Sequence, residues 1–224
     1  STHPLGWGWN PETVASYVEG LVASSPDISA ADLARKVVEE ALFLDRGQAR
    51  DDISCAAVYY RRPRQLLLMT GPPMRADQDR ELAQMLLDYP GRKVICGGTT
   101  AKIVARELQR RLEIDLGVLD PQIPPGARLD GVDLVTEGIM TLSALVRSLE
   151  EGVAPGQTEH NPARRLLQML EESDVIELVL GTRINEAHQD PNVPLELGIR
   201  RNIVRRLVEL LEQKYLKEVC LTMV

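Results

Sequence analysis

The chain of 224 residues has only 3 cysteines, no long apolar run and no excess of basic charge, and each shortage closes a class of function. Cys55, Cys96 and Cys220 are odd in number and stand alone inside strand-like runs. They read as small buried hydrophobes, not as a disulfide set or a zinc cluster. No apolar stretch approaches the roughly 20 residues that span a bilayer, and the amino terminus lacks the basic-then-apolar order of a signal peptide. The expectation is a cytoplasmic protein with no membrane segment. With 26 Lys+Arg against 33 Asp+Glu, the formal charge of -7 argues against a nucleic-acid partner, because affinity for a phosphate backbone rests on clustered cations.

What the chain does have is periodicity. Asn10-Pro11-Glu12 reads as an N-cap with Pro at the first helical position, and Val14, Tyr17, Val18, Leu21 and Val22 follow at helical spacing. A second helix opens at Ser29, with Asp32 three residues on as in a capping box, and carries the stripe Leu33, Val37, Ala41 and Leu44. Trp7 and Trp9 are expected to anchor this unit by burial. Ile53 to Tyr60 has the β-branched and aromatic content of a strand. Helix, helix, strand over residues 1–62 is too little to close an ordinary core alone.

Beyond "RRPR" the period changes. "QLLLMTGPP", "KVICGGTT", "VDLVTEG", "DVIELVLGTR" and "KEVCLTMV" are five short apolar runs. Between them lie helical stripes: Leu82, Met85 and Leu86; Ile103, Val104, Leu108 and Leu112; Ile139, Leu142, Leu145, Val146 and Leu149; Leu166, Leu167 and Leu170 after Asn161-Pro162; and Ile199, Ile203, Leu207, Leu210 and Leu211. Strands buried on both faces and separated by amphipathic helices predict an α/β fold. Residues 63–224 are therefore expected to form a Rossmann-like, three-layer domain with about five mostly parallel strands, preceded by a small α+β fragment. "LDPQIPPGARLDG" and "EEGVAPGQTEHNP" read as loops.

In open parallel sheets ligands bind outside the carboxyl ends of the strands. Those ends read "TGPP", "GGTT", "TEG" and "GTR". Gly97 and Gly98 let main chain approach a ligand, and the helix that follows offers free N–H groups and its positive dipole end to an anion. Thr99 and Thr100 add hydroxyls, Gly71, Gly138 and Gly181 give similar access, Arg183 can fork onto a phosphate or carboxylate, and Glu137 can accept from a ribose or amine. The implied ligand is a small phosphorylated or carboxylated molecule. A tight strand-to-helix connection needs the same glycines, and "GGTT" matches neither GxGxxG nor GxxxxGK[ST], so both readings stand. His160 and His188 lie in polar loops and read as surface residues.

Asp51-Asp52 opens the expected strand. Side by side on an extended segment the two carboxylates point to opposite faces, so one can bind metal while the other caps the turn. With its surroundings, "HPLGWGWN" and then "ISAADLARKVVEEALFLDRGQARDDISCAAVYYRRPR", the pair resembles the end of the catalytic domain in bacterial stage II sporulation protein E-type serine/threonine phosphatases, relatives of the metal-dependent phosphatase 2C family. The resemblance covers about the first quarter of the chain. It implies a phosphatase 2C-like fold for residues 1–62, Asp51 as a metal ligand, Asp52 as the residue after it and Ser54 as the hydroxyl position. It further implies Mn²⁺ or Mg²⁺, a phosphoprotein substrate, and hydrolysis by metal-activated water. The family's earlier acidic motifs have no match, and the only Asp-Gly, Asp130-Gly131, falls in the α/β unit. The expectation is thus the carboxy-terminal part of a longer enzyme, inactive alone, whose α/β domain regulates it, binds a small anion or forms a homodimer.

Overall fold

The computed structural model describes all residues except 1–8, 27, 50, 116–124, 156–160 and 184–192, with the backbone alone for 193–197. The chain divides into two compact units, Ser1–Arg62 and Pro63–Val224.

In the first unit the expected helices form as α1 (Pro11–Ser24) and α2 (Ala30–Leu44). Both caps are made as the sequence implies. Asn10 Oδ1 accepts from the Thr13 N–H at 2.8 Å. Ser29 Oγ accepts from the Asp32 N–H at 3.0 Å and donates to Asp32 Oδ2 at 2.8 Å. Trp9 meets Tyr17 edge-on with ring centres 5.5 Å apart, and Trp7 lies outside the described residues. The apolar stripes are only half-buried, and Ala41 is the sole fully buried position on α1 and α2. The strand expected from Ile53 to Tyr60 is not formed. That segment has the composition of a strand but no strand pairing, with Val58 and Tyr60 almost wholly exposed. A strand exists when its N–H and C=O groups meet a neighbour's, and no described residue supplies one here. Cys55, expected inside a buried strand, is exposed for the same reason.

The second unit has all five expected strands: β1 (Gln65–Thr70), β2 (Arg92–Cys96), β5 (Leu134–Thr136), β6 (Val175–Leu180) and β7 (Glu218–Met223). Two short strands were not expected, β3 (Leu112–Ile114) and β4 (Ala127–Leu129). Leu112 therefore belongs to a strand, not to the preceding helix, and part of the Pro/Gly-rich stretch pairs. The sheet is mixed and seven-stranded, in the order β3-β4-β5-β2-β1-β6-β7. The run from β5 to β7 is parallel, while β4 pairs antiparallel to both β3 and β5.

Helices cover both faces. α3 (Asp79–Asp88) and α4 (Gly98–Glu107) pack on Leu67, Met69, Ile95, Val135 and Val179. α5 (Ile139–Glu151), α6 (Pro162–Glu172) and α7 (Val193–Gln213) pack on Leu66, Leu68, Val94, Leu134 and Leu178. This explains why β1 is a continuous apolar run: alternate residues serve opposite cores, and Leu66 to Met69 are all 0% exposed. Asn161 Oδ1 caps α6 through the Ala163 N–H at 2.8 Å, with Pro162 at its first position. Cys96 is buried as expected, but Cys220 on the edge strand β7 is exposed. Among the described residues no helix is long and apolar enough to cross a membrane.

Candidate functional site

Because β5, β2, β1 and β6 are adjacent and parallel, their carboxyl ends form one rim. It carries, in spatial order, Glu137-Gly138, Gly97 to Thr100, Gly71 and Gly181 to Arg183. The structure thus brings the expected site residues of the α/β unit to one edge, but it treats them in two ways.

At the β1/β6 end, where the strand order reverses, main chain fills the gap. The Gly181 N–H donates to Thr70 O at 2.8 Å and the Arg183 N–H to Pro72 O at 3.2 Å. A Cβ on Gly181 would collide with the carbonyl oxygens of Gly71 and Pro72, and one on Gly71, which has φ +84°, would sit 2.7 Å from Gly181 O. Both residues are glycine because two backbones touch there. Arg183 turns to Asp79 of α3, at 3.3 Å, and Arg106 of α4 reaches the other oxygen of that buried carboxylate at 2.6 Å. Arg183 is thereby engaged in the fold and not held out toward a ligand.

The β2/β5 end is built differently. Gly97 takes φ +130°, which an L side chain rarely adopts, and so turns the chain from β2 into α4. Its N–H donates to Thr136 O at 2.9 Å, tying the turn to β5, and its C=O closes the first helical turn on the Ala101 N–H at 3.0 Å. Among the described residues no side chain caps α4, so the N–H groups of Gly98, Thr99 and Thr100 are donors at the positive end of the helix. A Cβ placed on Gly98 meets nothing within 4 Å. Thr99 is exposed. Thr100 is only 1% exposed, and its Oγ1, 3.6 Å from where a Cβ on Gly97 would lie, has no hydrogen-bond partner among the described residues. A hydroxyl left so costs about 1–3 kcal/mol.

Helix α5, one strand along, supplies its own anion. Glu137 Oε2 accepts from the Met140 N–H at 2.9 Å and the Thr141 N–H at 3.4 Å. Glu137, expected to meet a ligand, first of all caps this helix. Gly138 lies against Gly97, whose Cα would be 3.5 Å from a Cβ on Gly138. Thr136 adds a hydroxyl 2.7 Å from Glu137 O and 3.3 Å from Cys96 Sγ. Burial pushes the Cys96 thiol up to about 12, the Thr136 hydroxyl opposing and the Glu137 charge adding to the effect. A thiol held so is no nucleophile at neutral pH.

Sequence reading missed the other rim hydroxyls. Thr70 and Thr141 are buried with Oγ1 unpartnered, like Thr100. For Thr70 the available signal was a threonine at the end of an apolar run, in "MTG", whereas Thr141 lies in the first turn of α5 with no such mark.

In the first unit Asp51 and Asp52 are exposed, and Asp51 Oδ1 accepts from the Asp52 N–H at 2.9 Å. Hard divalent cations take about six oxygen ligands. Among the described residues no group of three His, Cys, Asp or Glu side chains is placed to hold a metal. The pair alone therefore does not fit the metal that the resemblance implies. Comparison with family models, curated proteins and solved structures finds no match for the chain.

Proposed function

We propose that residues 63–224 act as a Rossmann-like ligand-binding module that takes a small phosphorylated or carboxylated molecule at the start of α4. The observation that carries this reading is a coincidence at one helix start: among the described residues, uncapped main-chain donors, open space over Gly98 and a buried Thr100 hydroxyl with no partner. An anion seated there accepts from the N–H groups of Gly98 and Thr99 and from the threonine hydroxyls, and the helix dipole favours its charge. Glu137 stands beside it as an acceptor for a ligand hydroxyl or amine. The test is isothermal titration of inorganic phosphate, a nucleoside monophosphate and a dicarboxylate into the wild-type chain and into Gly98→Val. Saturation by at least one probe, weakened about tenfold or more in Gly98→Val, is expected. No saturation by any probe, or equal affinity in the variant, contradicts the reading.

A second reading concerns residues 1–62. Asp51-Asp52-Ile53-Ser54 leads into a segment with the composition of a core strand and no strand partner among the described residues. That is what a strand shows when other residues supply its sheet. This favours a piece of a metal-dependent serine/threonine phosphatase of the stage II sporulation protein E type, acting on a phosphoprotein, with the α/β unit as its regulatory domain. The check is p-nitrophenyl phosphate hydrolysis with Mn²⁺ by this chain, by a form extended at the amino terminus, and by that form carrying Asp51→Ala. Turnover in the extended form that Asp51→Ala abolishes supports the reading; an inactive extended form, folded and metal-loaded, excludes it.

A further inference from the structure

The two edges of the sheet are unlike. β3 has three residues, and Arg110, Arg111 and Glu113 crowd it, with Arg111 paired to Glu113 at 3.2 Å. Short length and charge are the usual devices that keep a sheet edge from pairing. β7 has neither protection. It runs for six residues, Glu218 is its one charge, it holds no proline, and Leu221 and Met223 are 39% and 53% exposed.

Its hydrogen bonding shows which groups find no partner among the described residues. The Glu218 N–H donates to Asp174 O at 3.0 Å and the Val224 N–H to Leu180 O at 3.0 Å, so even-numbered residues face β6. By strand alternation Val219, Leu221 and Met223 turn their N–H and C=O groups outward. Water can meet these groups one by one, and another extended strand meets the whole row at once.

We propose that β7 pairs with β7 of a second copy of this chain, antiparallel about a two-fold axis at Leu221, to make one continuous sheet across the dimer. This register places Leu221 opposite Leu221 of the second copy, and Val219 opposite Met223. All three outward residues then form hydrogen-bonded pairs, about six main-chain bonds in total at two per pair. The same residues lie on one face and set apolar side chains against apolar side chains, the pairing that stabilises adjacent strands. Cys220 falls opposite Thr222 on the other face. The two Glu218 carboxylates stand about 20 Å apart, six residues along the strand, beyond the screening length at physiological salt. A shift of one residue would oppose the two faces, and a shift of two would leave one of the three outward residues without a partner, so pairing all three selects this register.

The chain carries its own reporters. Cys220 and Cys55 are exposed while Cys96 is buried, so a short thiol crosslinker addresses the first two. The experiment is sedimentation of the full chain combined with bismaleimide crosslinking, on wild type, Leu221→Lys, Cys55→Ser and Cys220→Ser. The expected result is a species of twice the 24.9 kDa chain mass, crosslinked through Cys220 to Cys220. It persists in Cys55→Ser, sediments as a dimer but loses the crosslink in Cys220→Ser, and becomes monomeric in Leu221→Lys, where two like charges would face each other. Circular dichroism equal to wild type confirms that Leu221→Lys is folded; if it is not, Leu221→Thr, a strand former without charge, is expected to weaken the dimer in its place. A monomer at every concentration overturns the proposal. So does a dimer that neither β7 variant affects, or one joined through Cys55 to Cys220, which would place residues 53–60 of the second copy on the edge instead.

Discussion

Gly181 and Gly98 sit on the same rim of the same sheet, each just past a strand, yet they are glycine for opposite reasons. At Gly181 two backbones touch and a side chain has no room; at Gly98 no atom of the described residues lies within 4 Å of where a Cβ would stand. The helices that leave the rim differ in the same way. α5 begins on the carboxylate of Glu137, whereas no side chain among the described residues caps α4. The rim is closed by main chain at β1/β6 and by Glu137 at the start of α5, and among the described residues the start of α4 keeps its donors unspent. In an α/β sheet the point where strand order reverses is the usual place to look for a ligand, but here that point is filled and the opening lies one strand away.

Substitutions break or sharpen this contrast, and the largest effect is expected at the closed half. Gly181→Ala forces its Cβ onto the carbonyls of Gly71 and Pro72 and should cost about 3 kcal/mol or more, read as a lower urea midpoint. Asp79→Ala strips the buried partner from Arg183 and Arg106. With Arg106 largely exposed, the loss should be about 1–2 kcal/mol, and it should shrink in high salt. Glu137→Ala removes the internal anion of α5 and should cost about 1 kcal/mol. At the open half the sign reverses: Thr100→Val deletes a hydroxyl with no partner among the described residues and should raise stability by up to about 1 kcal/mol while weakening binding of the anionic ligand. Gly98→Val should leave stability within about 0.5 kcal/mol and still weaken binding about tenfold or more.

The sequence made the layers of the α/β unit legible because both periods were clean. β1 reads as a run of buried apolar residues and α6 as a stripe after an Asn-Pro cap, and each forms within a residue or two of its expected place. The short strands β3 and β4 were not legible, since three residues carry too little alternation and Leu112 continues the stripe of α4. Ile53 to Tyr60 failed the other way. Its composition suits a strand, but pairing is a property of two segments, and the partner cannot be read from one of them. At the site the glycines and Thr100 were visible, whereas the assignment of Arg183 to Asp79 was not, because it joins residues 104 apart in the chain.

The most direct test of the asymmetry follows backbone amides by heteronuclear NMR while inorganic phosphate or a nucleoside monophosphate is titrated into the wild-type chain. Saturable shifts at Gly98, Thr99 and Thr100, with smaller ones at Ile139, Met140 and Thr141, are the expected result. Unmoved amides at the start of α4, or equal shifts at both helix starts, would contradict the claim that one half of this rim is held open for an anion.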